Sequence, residues 1–320
     1  MLHGFNSVFS TTLNNELQDN LVEFFDWGLL EKGNYFNATL GELSPRSQDY
    51  SLLKLSSNDN YPQGSAWEGF RKNWVWQSGV PYSPAPLVGN NPNIPGISGI
   101  YVNDTFYPSN TSGIYSHKVD YYNGRVIFDN PIPTGSKVQA EHSYKYINVI
   151  YASNLPWIRE IQYRTLDKSS FFSDNTKGDY ELPAEMRVQL PAIAIEIVPN
   201  RTFKPYQLGP SGQFIYTDVL FHCIAEDDLT RNKLVDIVSL QNDKIIGLFN
   251  TNSMASSNDF PLNFMGYPNP NAKRYPDLIN AYFNGTALLR NTKVQGMEIL
   301  NSNLYAGIVR MTTEIITTQI

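Results

Sequence analysis

The stretch Phe214-Ile215-Tyr216-Thr217-Asp218-Val219-Leu220-Phe221-His222-Cys223-Ile224-Ala225 is followed directly by Glu226-Asp227-Asp228. Its first twelve residues are rich in β-branched and aromatic side chains and contain no Gly or Pro, which predicts one long strand. The three carboxylates predict the start of a helix, because an acidic side chain can cap free N–H groups and favours the positive end of the helix dipole. We therefore place this strand and the following helix at the centre of a main domain.

Helical spacing continues after the acidic residues. Apolar side chains recur at this spacing as far as Phe249, at Leu234, Ile237, Val238, Ile245, Leu248 and Phe249. This pattern predicts an amphipathic helix over 229–249 that lies on a sheet. The same spacing predicts an earlier helix over Thr12–Leu30, which ends before Gly33. Apolar segments at Ile193–Val198 and Ile308–Thr317 predict two further strands, and the second could pair beside the central strand.

Composition indicates a folded protein with no general affinity for nucleic acid. The chain has 320 residues, 41% of them hydrophobic, and a net charge of -6 without a Lys/Arg cluster. A local basic ring created by assembly stays open as an alternative. The single cysteine, Cys223, lies in the predicted central strand and is interpreted as a core residue. No signal-like N-terminus or membrane-length apolar stretch is found, so we expect synthesis in the cytoplasm and no membrane contact.

A small β domain is predicted in the middle of the chain. The proline-rich stretch Pro81–Pro95 predicts a linker or arm, and beyond it two hairpins are predicted around Asn103-Asp104 and Asn123-Gly124. Alternating polarity over 137–146 predicts a further half-exposed strand. We therefore expect an inserted β-sandwich over 96–151 that can be excised, with the main domain formed by 1–80 and 152–320.

Aromatic residues outside this domain have two possible roles. Trp67, Trp74 and Trp76 fit core packing better than an interface, because Trp is highly buried on average. The Asn- and Pro-rich segment Asn250–Arg274 contains apolar side chains and is predicted to be an ordered excursion docked on the surface.

The search for catalytic chemistry is negative. His222 and Cys223 are adjacent on a strand, so their side chains point to opposite faces and cannot act as a nucleophile and base pair. The four histidines lack metal-ligand spacing, and no phosphate loop, nucleophile elbow or dinucleotide fingerprint occurs. We predict no cofactor, no metal and no enzymatic function. A sugar-cleaving enzyme would need two converging carboxylates, and nothing in the sequence points to such a pair.

The order of predicted elements resembles that of tail-terminator and head–tail joining proteins of long-tailed bacteriophages. The order is helix, strand, strand with an acidic cap, helix and closing strand, and the segments 99–103 and 120–129 also resemble stretches of virion structural proteins. Such terminators are usually much shorter, and their pattern has no counterpart for the inserted β domain or for 250–303.

The resemblance implies an α+β fold, a tail-terminator-like mixed sheet with two amphipathic helices that carries the small β-sandwich. It also implies a virion neck protein that forms a hexameric ring. Its partners would be other copies, portal or connector proteins, and tail tube or sheath proteins, with DNA only passing through the lumen.

Residues for the ring contacts are predicted on three surfaces. Arg201 and Lys204 are placed on a projecting loop, and Ile308 and Arg310 on an exposed sheet edge. The docked excursion contributes the aromatic residues Phe260, Phe264 and Tyr267. The alternative is a baseplate, fibre or capsid decoration protein whose Tyr-rich sandwich binds a glycan or a capsid surface. Fibres favour repeated β segments and trimers, whereas this sequence has no visible repeat.

Overall fold

The structure, a computed structural model, describes residues 13–41, 49–77, 80, 97–152, 189–205, 213–256, 262, 265–267, 272–301 and 304–317. The fold is mixed α+β and consists mostly of sheet. The chain forms two compact units. The small unit comprises Trp27–Tyr146 and Ala255–Arg274, and the large unit comprises Met1–Asp26, Ile147–Met254 and Tyr275–Ile320.

The small unit contains nine of the described strands. They are β1 (Tyr35–Ala38), β2 (Leu52–Leu55), β3 (Ala66–Glu68), β4 (Gly99–Val102), β5 (Thr105–Pro108), β6 (His117–Asp120), β7 (Arg125–Phe128), β8 (Val138–Gln139) and β9 (His142–Lys145). Seven form an antiparallel sheet in the order β5-β4-β8-β2-β3-β7-β6, and β1 pairs with β9. The core beneath them includes Trp67, Trp74 and Trp76, all at most 4% exposed, which confirms the core interpretation of these residues.

The boundaries of this unit differ from the predicted insertion at 96–151. Strands β2 and β3, which were assigned by sequence to the main domain, pair with β8 and β7. These strands have four and three residues, too few for a clear alternating pattern. The predicted strand over 137–146 is also interrupted, because β8 and β9 belong to different sheets. The proline-rich stretch Pro81–Pro95 lies outside the described residues.

Both predicted hairpins are present, with one difference in the turns. Asn103 and Asp104 have φ values of 49° and 64° and connect β4 to β5 as a type I′ turn requires. The second connection is longer than predicted, because Asp120 pairs with Arg125 and leaves four residues in the loop. Only Gly124 has a positive φ there, at 65°.

The large unit is built on a six-stranded sheet in the order β10-β11-β12-β15-β14-β13. Its strands are β10 (Asn148–Tyr151), β11 (Ala192–Pro205), β12 (Gln213–Ala225), β13 (Lys244–Phe249), β14 (Phe283–Asn301) and β15 (Leu304–Thr317). Strands β10 and β11 are parallel, and the other pairs are antiparallel. The predicted central strand is confirmed as β12, and the closing strand β15 pairs with it as expected. The strand predicted at 193–198 is confirmed within the longer β11.

Four helices are described: α1 (Leu13–Glu31), α2 (Asp228–Ser239), α3 (Thr251–Ser256) and α4 (Tyr275–Tyr282). Helix α1 confirms the first predicted helix. The prediction of a helix over 229–249 is correct only as far as Ser239. Asp243 then adopts a φ of 60°, which a helix does not allow, and the β-branched Ile245 and Ile246 continue in the edge strand β13.

Helices α1 and α2 pack on the same face of this sheet. The ring of Phe25 lies 5.2 Å from that of Phe221 on β12. On β15, a Cβ added to Gly307 would lie 2.6 Å from Val235 Cγ2, so the absence of a side chain allows α2 to approach closely. Asn20 fixes α1 further, because its side chain donates to the Phe249 carbonyl (3.0 Å) and accepts from the Phe249 N–H (2.8 Å). We call this side the helix-bearing face.

Candidate interface on the six-stranded sheet

The opposite side of the sheet, which we call the open face, carries the alternate side chains of the same strands. On β12 the buried positions alternate with partly exposed ones as far as His222, whereas Ile224 on the same side is buried with Ala192 and Leu304. The open face comprises Glu196, Lys204, Phe214, Tyr216, Asp218, Leu220, His222, Arg290, Ile308, Arg310, Thr312, Glu314 and Ile316. It therefore mixes charged, aromatic and aliphatic groups over four neighbouring strands.

The centre of the open face is an ion pair between Asp218 and Arg310. Arg310 Nη2 donates to the Asp218 carboxylate, and Thr312 Oγ1 donates to the same carboxylate at 2.9 Å. The hydrogen bond and the charge of Asp218 raise the pKa of Arg310. The Arg310 side chain is 42% exposed, whereas that of Asp218 is 13% exposed. The guanidinium thus covers the carboxylate and is the group that a partner would meet.

Two further pairs flank this centre. His222 Nε2 lies 2.8 Å from Glu196 Oε2, and Arg290 Nη1 donates to Glu314 Oε2 at 2.6 Å. Tyr216 lies among cations, with Lys204 Nζ 5.2 Å and Arg290 Cζ 5.9 Å from its ring centroid. These distances are within the range of a cation–π contact.

The ion pairs give the open face a fixed arrangement of charge. Partly exposed ion pairs contribute only about 0–1 kcal/mol to folding, so their arrangement has more bearing on what the face contacts. Complementary charge at an interface determines specificity and association rate more than affinity. Exposed apolar side chains adjoin the pairs, namely Ile316 on β15 and Ile245 on β13, at 47% and 64% exposure. The open face therefore offers both polar specificity and apolar area.

Three of the predicted contact residues lie on the open face, spread along its strands. Lys204 pairs with Phe214, Arg310 with Leu220, and Ile308 with His222. Their predicted settings were wrong in two respects. Arg201 and Lys204 lie within strand β11, which extends to Pro205, and not on a loop. Ile308 and Arg310 are not on a sheet edge, because β14 covers the side of β15 away from β12.

The other predicted contact residues lie elsewhere. Arg201 donates from Nη2 to Asn14 Oδ1 on α1, and burial lowers its pKa. Tyr267 belongs to the small unit, where Lys118 Nζ lies 5.9 Å from its ring centroid. Its peptide neighbour Gly266 accepts a hydrogen bond from the Tyr121 N–H (3.0 Å), so this part of the predicted excursion is docked as expected. Phe260 and Phe264 lie outside the described residues.

Several residues of the open face were missed by sequence reasoning. Asp218 and His222 carry a visible signal, because they occupy the same side of a strand whose other side is mostly apolar. Their partners Glu196 and Arg290 could not be identified, since strand pairing over long sequence separations leaves no local pattern. Strand β14, which supplies Arg290, was not predicted at all.

The remaining predictions about chemistry concern cysteine, metals and membranes. Cys223 is fully buried and burial raises its pKa to about 12, which confirms it as a core residue. Over the described ranges, no group of three or more His, Cys, Asp or Glu side chains is placed to hold a metal ion. Among the helices that the structure describes, none has the length and apolar character needed to cross a membrane.

Comparison of the chain with models of protein families, with curated proteins and with solved structures gives no significant match.

Proposed function

We propose that the chain is a non-enzymatic structural protein of a tailed-phage virion. It lies in the neck, where copies form a hexameric ring that closes the tail tube or joins the tube or sheath to the connector or portal complex. The order of helix, strand, strand with an acidic cap, helix and closing strand that resembles tail-terminator proteins lies in the large unit, apart from the end of α1 after Asp26. The proposal treats the small unit as an addition to that pattern.

The open face is the observation that supports this proposal most. Its carboxylates Glu196, Asp218 and Glu314 each have a neighbouring cation or imidazole, which gives the surface a fixed pattern of paired charge that another protein can complement. Exposed aliphatic side chains beside these pairs provide area that association can bury. A net charge of -6 fits a lumen through which DNA passes without being held.

Labelling of intact particles tests the proposed location. Gold-conjugated antibodies raised against the purified chain should bind at the junction of head and tail, and symmetry-resolved imaging should show a sixfold ring there. Antibodies against the major capsid protein provide the positional control. Labelling at a threefold spike on the baseplate or capsid would refute the neck location and favour the alternative.

The alternative is a baseplate, fibre or capsid decoration protein that binds a glycan or a capsid surface. An aromatic cluster on the small unit favours it. Tyr50 stacks on Phe70 at 4.7 Å between centroids, and Phe36, 52% exposed, lies 5.4 Å from Tyr146. Binding to a glycan array that is lost in Phe36→Ala and kept in Phe106→Ala would support this function. Phe106 is the matched control because it is 43% exposed and lies outside the cluster.

A further inference from the structure

Helix α2 has apolar side chains on two opposite sides. The inner side, with Leu234, Val235 and Val238, is buried against the sheet. Two further leucines lie on the outer side, where Leu229 is 76% and Leu240 78% exposed. They belong to one stripe, because residues four, seven and eleven positions apart point in nearly the same direction from a helix. We call it the outer α2 stripe, and it consists of Leu229, Lys233, Asp236 and Leu240.

Negative charge adjoins this stripe. Glu226 and Asp228 are exposed at the start of α2, whereas Asp227 between them acts as the N-cap. Asp236 and Lys233 are also exposed, so the outer surface of the helix carries three exposed carboxylates besides the cap, against one cation. A surface that complements it must present apolar area and an excess of positive charge.

The open face presents charge of the opposite sign. The Arg290 side chain is 40% exposed, but that of its partner Glu314 is only 14% exposed. The Arg310 side chain is 42% exposed, against 13% for Asp218. Lys293 pairs with Arg310 across the strands, which places this exposed residue on the same face. An approaching molecule therefore meets cations before carboxylates, although the chain as a whole has a net charge of -6.

The dimensions of the two surfaces also agree. Helix α2 has 12 residues, so it is about 18 Å long, and Leu229 lies about 16 Å from Leu240 along its axis. The open face spans the four strands β11, β12, β15 and β14, which gives a width of about 14 Å. Leu220 and Ile308 lie among the ion pairs of this face and are only partly buried. They offer apolar contacts to a leucine of the helix.

We infer that the outer α2 stripe of one copy docks on the open face of a second copy of this chain. The two leucines then cover the apolar side chains of the face, and the carboxylates of the helix lie against the exposed cations. The sheet thereby acquires helices on both of its faces, a layer arrangement that buries both. A second copy is the occupant that the charges favour, because this chain itself has the acidic, leucine-bearing helix that the face requires.

Docking of this kind is head-to-tail, because α2 packs on the helix-bearing face and the open face is the opposite side of the same sheet. Each copy offers one surface to the preceding copy and the other to the next, and repetition closes into a ring or continues as a filament. The inference deepens the proposed function by assigning the subunit contact of the proposed ring, and it rests on that proposal for its place in the virion.

Two variants of the full-length chain each disable one surface. The α2 variant combines Asp236→Lys with Leu240→Lys, which reverses the charge of the stripe and removes one of its leucines. The open-face variant is Lys293→Glu, whose carboxylate faces those of the docked helix and pairs with Arg310 on its own face. All three positions are exposed, so circular dichroism and the unfolding midpoint should match those of the native chain.

Sedimentation equilibrium measures the association. The native chain should associate, and each variant alone should associate about tenfold or more weakly, since like charges then face each other. An equimolar mixture of the two variants should form a dimer with one copy of each and nothing larger. In that dimer the intact open face of the α2 variant meets the intact α2 of the open-face variant, and the two disabled surfaces prevent further addition.

Matched changes on the small unit are the controls. Lys32→Glu repeats the reversal at Lys293, and Leu52→Lys with Asp59→Lys repeats the two changes on α2, all at exposed positions. Both controls should associate as the native chain does.

Four results would overturn the inference. The first is a native chain that sediments as a monomer at every concentration. The second is self-association that survives in the α2 variant but not in the open-face variant, because the open face would then pair with itself. The third is a pair of monomeric variants that do not combine. The last is equal association of the variants and their controls.

These outcomes are separable from that of particle labelling. A mixed dimer from a protein that labels a spike would refute the neck location and leave the docking intact. A labelled neck ring whose variants form no mixed dimer would refute only the docking.

Discussion

Gly124 shows how a residue predicted correctly can be essential for a further reason. A positive φ at this position was expected from the Asn-Gly turn, and the observed φ is 65°. A Cβ here would also lie 2.3 Å from the Arg71 carbonyl oxygen and 2.9 Å from Trp74 Nε1. We therefore expect Gly124→Val to lower the free energy of unfolding by about 2–5 kcal/mol, through backbone strain and overpacking.

The control for this change is Gly135→Val. Gly135 has no positive φ, and no atom lies within 4 Å of the Cβ it would gain. The free energy of unfolding measured in urea should therefore change little. Gly113→Val separates the two causes, because Gly113 has a φ of 87° but open space around it. Equal midpoints for the Gly124 and Gly135 variants would contradict the assigned turn.

His142 should make the small unit sensitive to acid. Burial lowers its pKa from 6.5 to about 4, against the opposing hydrogen bond from Nδ1 to the Ala140 carbonyl (3.0 Å). The unfolded chain binds a proton as the pH falls below 6.5, whereas the folded chain does not until about pH 4. We expect this residue alone to remove about 3 kcal/mol of stability across that window. His142→Phe keeps an aromatic ring beside Trp74. Its free energy of unfolding, measured in urea, should therefore vary less with pH between pH 4 and 7 than that of the native chain. An unchanged slope would contradict the assignment.

Asp19 on α1 should change the stability with pH in the opposite direction to His142. Burial raises its pKa from 3.8 to about 6, while a hydrogen bond to Tyr151 lowers it. The stabilising contribution is present below pH 3.8 and is lost as the pH rises through about 6, because the folded chain then carries a partly buried charge. Allowing for its partial exposure, we expect Asp19→Asn to be about 1–2 kcal/mol more stable than the native chain at pH 7. Thermal unfolding at pH 7 and pH 3.5 measures the difference, which should disappear at the lower pH.

At the scale of single elements, the acidic start of α2 is the best-supported local prediction. Asp227 has extended backbone angles and accepts hydrogen bonds from the Thr230 N–H and Oγ1, each at 2.8 Å. Asp227→Ala should therefore cost about 1 kcal/mol of unfolding free energy. Asp228→Ala provides the comparison, because Asp228 lies in the first turn and can act only through the helix dipole, which contributes about 0.3–1 kcal/mol. A larger loss for Asp228 would show that the cap was misassigned.

Sequence reasoning succeeded where a local pattern was long enough to be unambiguous. Strand β12 and helix α1 have 13 and 19 residues, and each has one clear period. The prediction was wrong at β13, because the spacing of Ile245, Leu248 and Phe249 also fits a helix. Only the turn at Asp243 separates helix α2 from strand β13. On the open face, Arg310 was chosen by sequence, but its partner Asp218 depends on the register between β12 and β15. Cross-strand register is a tertiary property and has no local signature.

At the scale of the whole molecule, the two units could not be divided correctly from the sequence. Composition changes at the proline-rich stretch, and the prediction placed a boundary there. The small unit instead combines strands on both sides of that stretch, because β3 pairs with β7. It also includes the segment Ala255–Arg274, far away in sequence. Such discontinuous units are defined by packing, which a pass along the chain cannot detect.

This division reverses the expected result of excising residues 96–151. The sequence predicts that the remainder stays folded, but the deletion removes β7 and β8 and leaves β2 and β3 without those partners. It also removes β10 from the six-stranded sheet. We therefore expect aggregation in sedimentation and a red shift of Trp fluorescence, since Trp67, Trp74 and Trp76 would lose their buried environment.

Insertion of a short Gly/Ser linker after Ser112 is the control for that deletion. The insertion alters the same part of the chain in the exposed connection between β5 and β6 and preserves every described strand pair. Exposed loops tolerate such insertions, so the protein should stay soluble with native fluorescence. If the deleted chain instead remained soluble, with native circular dichroism and buried Trp residues, residues 96–151 would fold as a separate domain. The sheet that joins β2 and β3 to β7 and β8 would then be contradicted.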